Sequence, residues 1–226
     1  MKTILVVAAH PDDEVLGCGG TIARLVKEGC KAFTLILGEG ITSRSYGLIR
    51  NKPVRSKIDD LKESAIQANR ILGVREVFFR DFPDNQLDTV ALIKVVKEIE
   101  NVKNIVKPDT VFTHYCKDLN VDHQITIQAV MTATRPFKEE MVKEVYSFEV
   151  PSSTEFNYPL TFFPDAYFDI SKTIKTKLEA LKKYRSELRS FSHPRSLKFV
   201  ELNALYHGAR VGLKYAEAFK NIRSIR

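Results

Sequence analysis

The sequence predicts an α/β fold: a mostly parallel sheet with helices on both faces, built as a single domain over residues 1–226. Three observations lead there. Short, uninterrupted apolar runs rich in β-branched residues alternate with amphipathic stretches through the first 150 residues. The runs are too continuously apolar for strands with one wet face, so they belong in a sheet covered on both sides. Two of them run into polar clusters of His and Asp, where an open parallel sheet presents its ligands.

Taken in order, Ile4–Ala9 is a buried strand, and Cys18–Lys27 is a helix with Ile22, Ala23, Leu25 and Val26 on one face and Gly29 as its stop. Ala32–Leu37 is the second strand, and Gly38–Asn51, polar and Gly-bearing, is a mobile loop. A helix follows from Ser56 to Leu72, closed by Gly73, then a strand at Val77–Phe79. Val90–Val106 is a helix ended by Lys107-Pro108, Thr110–Thr113 a strand, His123–Thr134 a helix and Glu144–Glu149 a further strand. These make a core over residues 1–150. Residues 151–226 change character: an aromatic loop to Tyr167, then basic helices over Ser171–Arg189 and Lys198–Phe219, packed on the core.

Composition narrows the function classes. Hydrophobic residues are 44% and charged residues 28%, which suits a soluble domain with a true core. Cys18, Cys30 and Cys116 are odd in number and widely spaced, so no disulfide framework is expected and a reducing, cytoplasmic setting is. The N-terminal apolar run has one basic residue ahead of it and stops after about six residues, which reads as a strand rather than a leader. No stretch nears the roughly 18 apolar residues of a membrane span. The net charge is +7, and residues 170–226 hold fourteen Lys or Arg against four Glu. That excess is either a solvated basic face or a means of steering an anionic partner. Aromatic and basic residues do not interleave as in nucleic-acid-binding modules, so a small-molecule partner is expected and no nucleic acid. A homo-oligomer is compatible with the sequence.

The chemistry gathers in two loops. Ala9-His10-Pro11-Asp12-Asp13-Glu14 follows the first strand, and Asp118-Leu119-Asn120-Val121-Asp122-His123 follows the strand ending near Thr113. A catalytic zinc takes three His or carboxylate ligands and keeps one position open. His10 and Asp13, three apart in a turn entering a helix, can face one ion, and His123 supplies the third ligand from the neighbouring crossover. Asp12 is left to act as base on water. Asp118 and Asp122 fix histidine tautomers, which puts Asp122 with the catalytic group. Glu14 either caps its helix or holds a His ring. Cys18 and Cys116 read as small buried fillers, and His207 as a structural residue.

His10 through Glu14 followed by Leu16-Gly17-Cys18-Gly19-Gly20-Thr21, with Asp118-x-Asn120-x-Asp122-His123 downstream, resembles the LmbE-like/PIG-L family of de-N-acetylases. Gly38-Glu39, Asp169-Ile170-Ser171 through Lys177 to Tyr184, and Tyr215-Ala-Glu-Ala-Phe219 extend the likeness over nearly the whole chain. The resemblance implies a Rossmann-like fold and metal-dependent removal of acetyl groups from N-acetylglucosamine derivatives. It implies zinc, with ferrous or another divalent ion also suited, on His10, Asp13 and His123, and Asp12 as general base. The alternatives are an amidase acting on another conjugate and a silent sugar- or metal-binding module.

Two departures from the family pattern matter. Many members carry His where this chain has Asn120, which can donate a hydrogen bond to an oxyanion but cannot deliver a proton. Protonation of the leaving amine then falls to Asp12, His114 or His193. Many members also carry an Arg ahead of the position of Glu63, where this chain has Asp59-Asp60; Arg44, Arg50 or Arg55 is the expected substitute. Arg50, His193, Arg195 and His114 are the expected substrate contacts. Two readings of His193-Pro194-Arg195-Ser196 stand side by side: a loop over the pocket with Arg195 on sugar hydroxyls or a phosphate, and a plain helix–helix connector.

Overall fold

The computed structural model describes residues 1–44, 52–160 and 162–226. Seven strands form one sheet in the order β3-β2-β1-β4-β5-β7-β6. β1 (Thr3–Ala8), β2 (Lys31–Gly38), β3 (Glu76–Phe82), β4 (Thr110–His114) and β5 (Glu144–Phe148) run parallel. β7 (Ala216–Ser224) lies antiparallel between β5 and β6 (Ala166–Asp169). The expected parallel α/β core is therefore present, with an antiparallel edge added by the C-terminal segment. Among the described residues, no helix is long and apolar enough to cross a membrane.

Alternation along the strands builds two cores. Ile4, Val6 and Ala8 of β1 face one side, under α1 (Asp13–Lys27), α2 (Lys52–Leu72), α5 (Ile174–Leu181) and α6 (Leu197–Ala209). Leu5 and Val7 face the other, under α3 (Leu92–Val106) and α4 (Val121–Ala133). All five of these β1 side chains are fully buried, which is why the run shows no polar alternation. Strand order reverses at β1: the chain goes to β2 and β3 on one side, then crosses to β4 on the other. The crevice beyond the ends of β1 and β4 is the topological switch point of the sheet, and both polar clusters open into it.

The C-terminal segment departs from expectation. The helix read over Lys198–Phe219 ends at Ala209, and the chain returns as β7. Gly208 and Gly212 make that turn. A Cβ on Gly208 would sit 2.7 Å from the Leu213 carbonyl oxygen, and Gly212 has φ +74°. The helix read over Ser171–Arg189 shortens to α5, and tighter bonds follow it, Lys183 N to Ala180 O, Tyr184 N to Leu181 O and Glu187 N to Tyr184 O. Those turns carry Tyr184 and Glu187 inward.

α1 is two helical pieces spliced at Cys18, whose φ of −145° and ψ of 19° are not helical. Lys177 closes the first piece, donating from Nζ to Leu16 O at 2.7 Å. Glu217 of β7 opens the second, accepting from Gly20 N at 2.9 Å and Thr21 N at 2.6 Å. The two side chains pair at 2.6 Å, both nearly fully buried. Gly17 lets the first piece lie on the ring of Phe148, since a Cβ there would stand 2.2 Å from Phe148 Cδ2. Glu217→Ala would strand a buried ammonium and two helix N–H groups, so urea unfolding is expected to show a loss of about 3–5 kcal/mol. A loss below about 1 kcal/mol would contradict the splice.

Candidate metal centre

The turn between β1 and α1 is folded on itself. His10 N donates to Asp13 Oδ2 at 2.9 Å, and Asp12 N donates to Glu14 Oε2 at 3.1 Å. Asp12 takes φ 106°, a left-handed conformation that costs about 1–3 kcal/mol outside glycine and keeps its carboxylate at the crevice. Glu14 is the anchor beneath: its Oε1 accepts from Asn69 Nδ2 at 2.8 Å and from the Tyr184 hydroxyl at 2.5 Å. Burial pushes its pKa up to about 7 against those two hydrogen bonds.

Asp13 is the centre of the cluster. It is fully buried, and its Oδ2 stands 3.4 Å from His10 Nδ1, 3.3 Å from His123 Nε2 and 3.6 Å from His114 Nε2. Its Oδ1 has no hydrogen-bond partner among the described residues. Burial alone would raise its pKa, but the His123 charge and the His10 hydrogen bond hold it well below the usual carboxylate range. His10 Nε2 meets Asp122 Oδ2 at 3.0 Å and Asp84 Oδ1 at 3.3 Å, while Asp122 Oδ1 is fixed by Leu87 N at 2.9 Å. His123 Nδ1 meets Asp118 Oδ1 at 3.1 Å.

Ligand atoms of His10, Asp13 and His123 all lie within 4.8 Å of one another, and so do those of His10, Asp84 and Asp122. The first set fits a divalent ion better. It holds a buried carboxylate oxygen with no hydrogen-bond partner among the described residues, beside His10, hydrogen-bonded to Asp122, and His123, whose Nδ1 stands 3.1 Å from Asp118 Oδ1. In the second set Asp84 already accepts from Ser43 and Asn85, and Asp122 from Leu87 N. The His, Asp, His donor set suits zinc and ferrous iron alike.

Asp12 faces a cleft of about 330 Å³, lined also by Asp84, Asn85, Asn120, Glu187 and Arg195. Arg195 Nη1 is 3.2 Å from Asp12 Oδ2 and 3.3 Å from Glu187 Oε2. Burial drives the Asp12 pKa up, Arg195 pulls it down, and neighbouring Asp13 and Glu187 raise it, to about 8. Asn120 caps α4: its Oδ1 accepts from Asp122 N at 2.8 Å, and its Nδ2 donates to Asn85 Oδ1 at 2.7 Å.

The crevice thus brings together His10, Asp12, Asp13, Asn120, Asp122, His123 and Arg195. Two of the other expected substrate contacts, His114 and His193, are not among them. His114 is fully buried, its Nε2 accepting from Ala9 N at 2.8 Å and its ring stacked on His123 at 3.9 Å, so it has no face for a substrate. Burial first, then the His123 charge, keep its pKa well below the ordinary value. His193 is exposed and its Nδ1 accepts from Arg195 N at 3.0 Å, shaping the turn that presents Arg195. Arg50 lies outside the described residues, as does the side chain of Arg44, and Arg55 is exposed on α2. Cys116, expected to be buried, is exposed, whereas Cys18 is buried. Asp84, Glu187, Asn69 and the loop Ser152–Thr154 were not foreseen. Of these only Asp84, two residues after the third strand, sits where a strand-end signal could have flagged it.

The imidazoles report on the ion-free state. Burial would lower the His10 pKa, but the hydrogen bonds to Asp122 and Asp13 and the charges of Asp13 and Asp84 raise it to about 10. His123 rises to about 9, against burial, through Asp13 and Asp118. At pH 7 both carry a proton that a metal ion must displace. Titration calorimetry with zinc in two buffers of different ionisation enthalpy is expected to show about two protons released per ion; no release would contradict this electrostatic account. The raised values of His10, His123, Asp12 and Glu14 all give the native state more protons than the unfolded one. Stability of the ion-free protein should therefore fall as pH rises from about 4 to about 10, and heat-unfolding midpoints across that range check it.

Residues 5–134 match the family model PIG-L, described as GlcNAc-PI de-N-acetylase. The chain is 30% identical to the uncharacterized deacetylase YaiS of Escherichia coli K12, over 82% of this chain and 91% of that protein. It is 26% identical to the diacetylchitobiose deacetylase of Thermococcus kodakarensis, over 100% of this chain and 85% of that one. Among solved structures, the 4-carboxy-2-hydroxymuconate hydratase of Pseudomonas putida KT2440 superposes with a TM-score of 0.79 at 24% identity, covering 100% and 98% of the two chains, which is a likeness of fold. With the matched region spanning both the His10–Glu14 turn and the Asp118–His123 loop, the chain belongs to the PIG-L family of metal-dependent de-N-acetylases.

Proposed function

We propose that this enzyme hydrolyses the acetamide of an N-acetylglucosamine-type sugar derivative, with a divalent ion held by His10, Asp13 and His123. The observation that carries the reading is the unpartnered, fully buried Asp13 Oδ1 beside two carboxylate-backed imidazoles, at the foot of a cleft whose wall is the Asp12 carboxylate. A divalent ion bound there supplies Lewis acidity, polarising an amide carbonyl and acidifying water.

The protein groups divide the remaining work. Asp12, whose carboxylate lines the cleft, accepts a proton from water as the C–O bond forms. It then gives that proton to the amine nitrogen as the C–N bond breaks, leaving acetate and a free amine. His114 is sealed under the sheet edge and His193 lies off the cleft, so neither is placed to share this step. Arg195 keeps Asp12 aimed across the cleft at 3.2 Å. Asn120 Nδ2 can turn from Asn85 toward the developing oxyanion. Asp84, Asn85 and Glu187 line the cleft and offer acceptors for sugar hydroxyls. The basic C-terminal segment favours a substrate with an anionic aglycone. Three free cysteines and the absence of a spanning helix among the described residues are consistent with a cytoplasmic enzyme.

The test is metal content together with acetate release from a panel of N-acetylglucosaminides, neutral and anionic. Asp12→Asn is expected to keep one ion per chain and lose about 10²- to 10⁴-fold in kcat. Asn120→Ala is expected to lose about 10²-fold in kcat with little change in KM. Full acetate release by Asp12→Asn would remove Asp12 as the base, and a purified protein that neither holds nor responds to a divalent ion would end the hydrolase reading.

A further inference from the structure

The loop after β5 reaches both arms of the centre through three consecutive hydroxyls. Thr154 Oγ1 donates to Asp118 Oδ2 at 2.5 Å, and Ser153 Oγ donates to Asp118 Oδ1. Asp118 is fully buried and its Oδ1 faces His123 Nδ1 at 3.1 Å. One residue earlier, Ser152 Oγ accepts from Arg195 Nε at 2.8 Å, and the same guanidinium meets Asp12 through Nη1 at 3.2 Å. The loop is itself fixed. Ser152 takes φ 77°, and Glu155 accepts from Ser152 N at 2.6 Å and Ser153 N at 3.2 Å. Val150 N, at the end of the strand, donates to Thr154 Oγ1 at 2.8 Å.

A single tripeptide thus holds the partner of a proposed metal ligand on one side and the partner of the proposed base on the other. We infer that Ser152, Ser153 and Thr154 are positioning residues with separate duties. Ser153 and Thr154 set the Asp118 carboxylate, which keeps the proton of His123 on Nδ1 and its Nε2 lone pair toward Asp13. Ser152 sets the Arg195 fork, which aims Asp12. The inference rests on the proposed ion site, since its first arm acts on a ligand.

The physical ground is geometric. A carboxylate with two free torsions can offer His123 several orientations, and two hydroxyl donors plus Asn120 N at 2.8 Å leave it one. Arginine's planar fork fixes the direction of Nη1 once Nε is bonded. Ser152 itself is held in a left-handed conformation, φ 77°, by Glu155, which accepts from the backbone N–H groups of Ser152 and Ser153.

The experiment separates the duties with two readouts, one of which needs no turnover. Affinity for zinc is measured by chelator competition on the ion-free full chain, and kcat and KM on the zinc-loaded enzyme with an N-acetylglucosaminide. Ser153→Ala/Thr154→Val is expected to weaken zinc binding about 10- to 100-fold, with Thr154→Ser alone restoring it to within about twofold of the native protein. Ser152→Ala is expected to leave zinc affinity within about twofold and to lower kcat about tenfold, with no further loss when combined with Arg195→Ala. Urea unfolding of each variant confirms that the native state is populated. Unchanged zinc affinity in the double variant overturns the first duty. Equal loss of zinc affinity in Ser152→Ala, or full additivity with Arg195→Ala, overturns the second. A native protein that binds no divalent ion overturns the proposed function itself, a result distinct from a native protein and variant that bind alike.

Discussion

Everything around the crevice answers to one buried charge, the carboxylate of Asp13. Taking a carboxylate out of water costs several kcal/mol unless it is paired, and three imidazoles from two loops stand within 3.6 Å to pair it. The pairing propagates outward. His10 needs Asp122, which is pinned by Leu87 N, and His123 needs Asp118, which is pinned by the loop after β5. Burial, then the His123 charge, hold the His114 pKa well below the ordinary value, so it accepts from Ala9 N, fills space and stacks without adding a third positive charge. The Asp13 oxygen left without a hydrogen-bond partner among the described residues is what a divalent cation would satisfy.

The C-terminal segment completes that arrangement instead of merely covering it. β7 delivers Glu217 to the break in α1, and α5 delivers Lys177 to the other side of the same break, so the turn bearing His10, Asp12 and Asp13 enters a helix fixed at its first turn. The turns after α5 bring Tyr184 to Glu14 and Glu187 to Arg195. An edge element of the sheet is therefore coupled to the chemistry through buried polar contacts, whose removal costs more than their formation gains.

What could be read from the sequence is what local pattern encodes. β1 is a run of apolar residues broken by His-Pro-Asp-Asp, and both His- and Asp-bearing loops follow such runs, so the side chains that meet in the crevice, His10, Asp12, Asp13 and His123, are legible from pattern alone. β7 was missed because Ala216–Phe219 continues the apolar content of α6, and helix and strand give the same signal over so short a run. The useful clue was Glu217 between two alanines, since a carboxylate amid apolar residues demands a buried partner, here Lys177. Glu187 and the Ser152–Thr154 hydroxyls gave no pattern, because their roles exist only where the sheet order brings distant loops together. Arg195 was placed correctly at the site, but its neighbour His193 turned outward because its ring is spent on the Arg195 backbone.

The same fold also carries a hydratase, so the architecture alone does not choose the reaction; the contents of the crevice do. The central claim is that one ion sits on His10, Asp13 and His123 with Asp12 left free as the base. Anomalous scattering from crystals grown with zinc tests it most directly. The account predicts a single strong peak within bonding distance of those three side chains, with Asp12 outside the coordination shell. A peak held instead by His10, Asp84 and Asp122, or one in which Asp12 is itself a ligand, would contradict it.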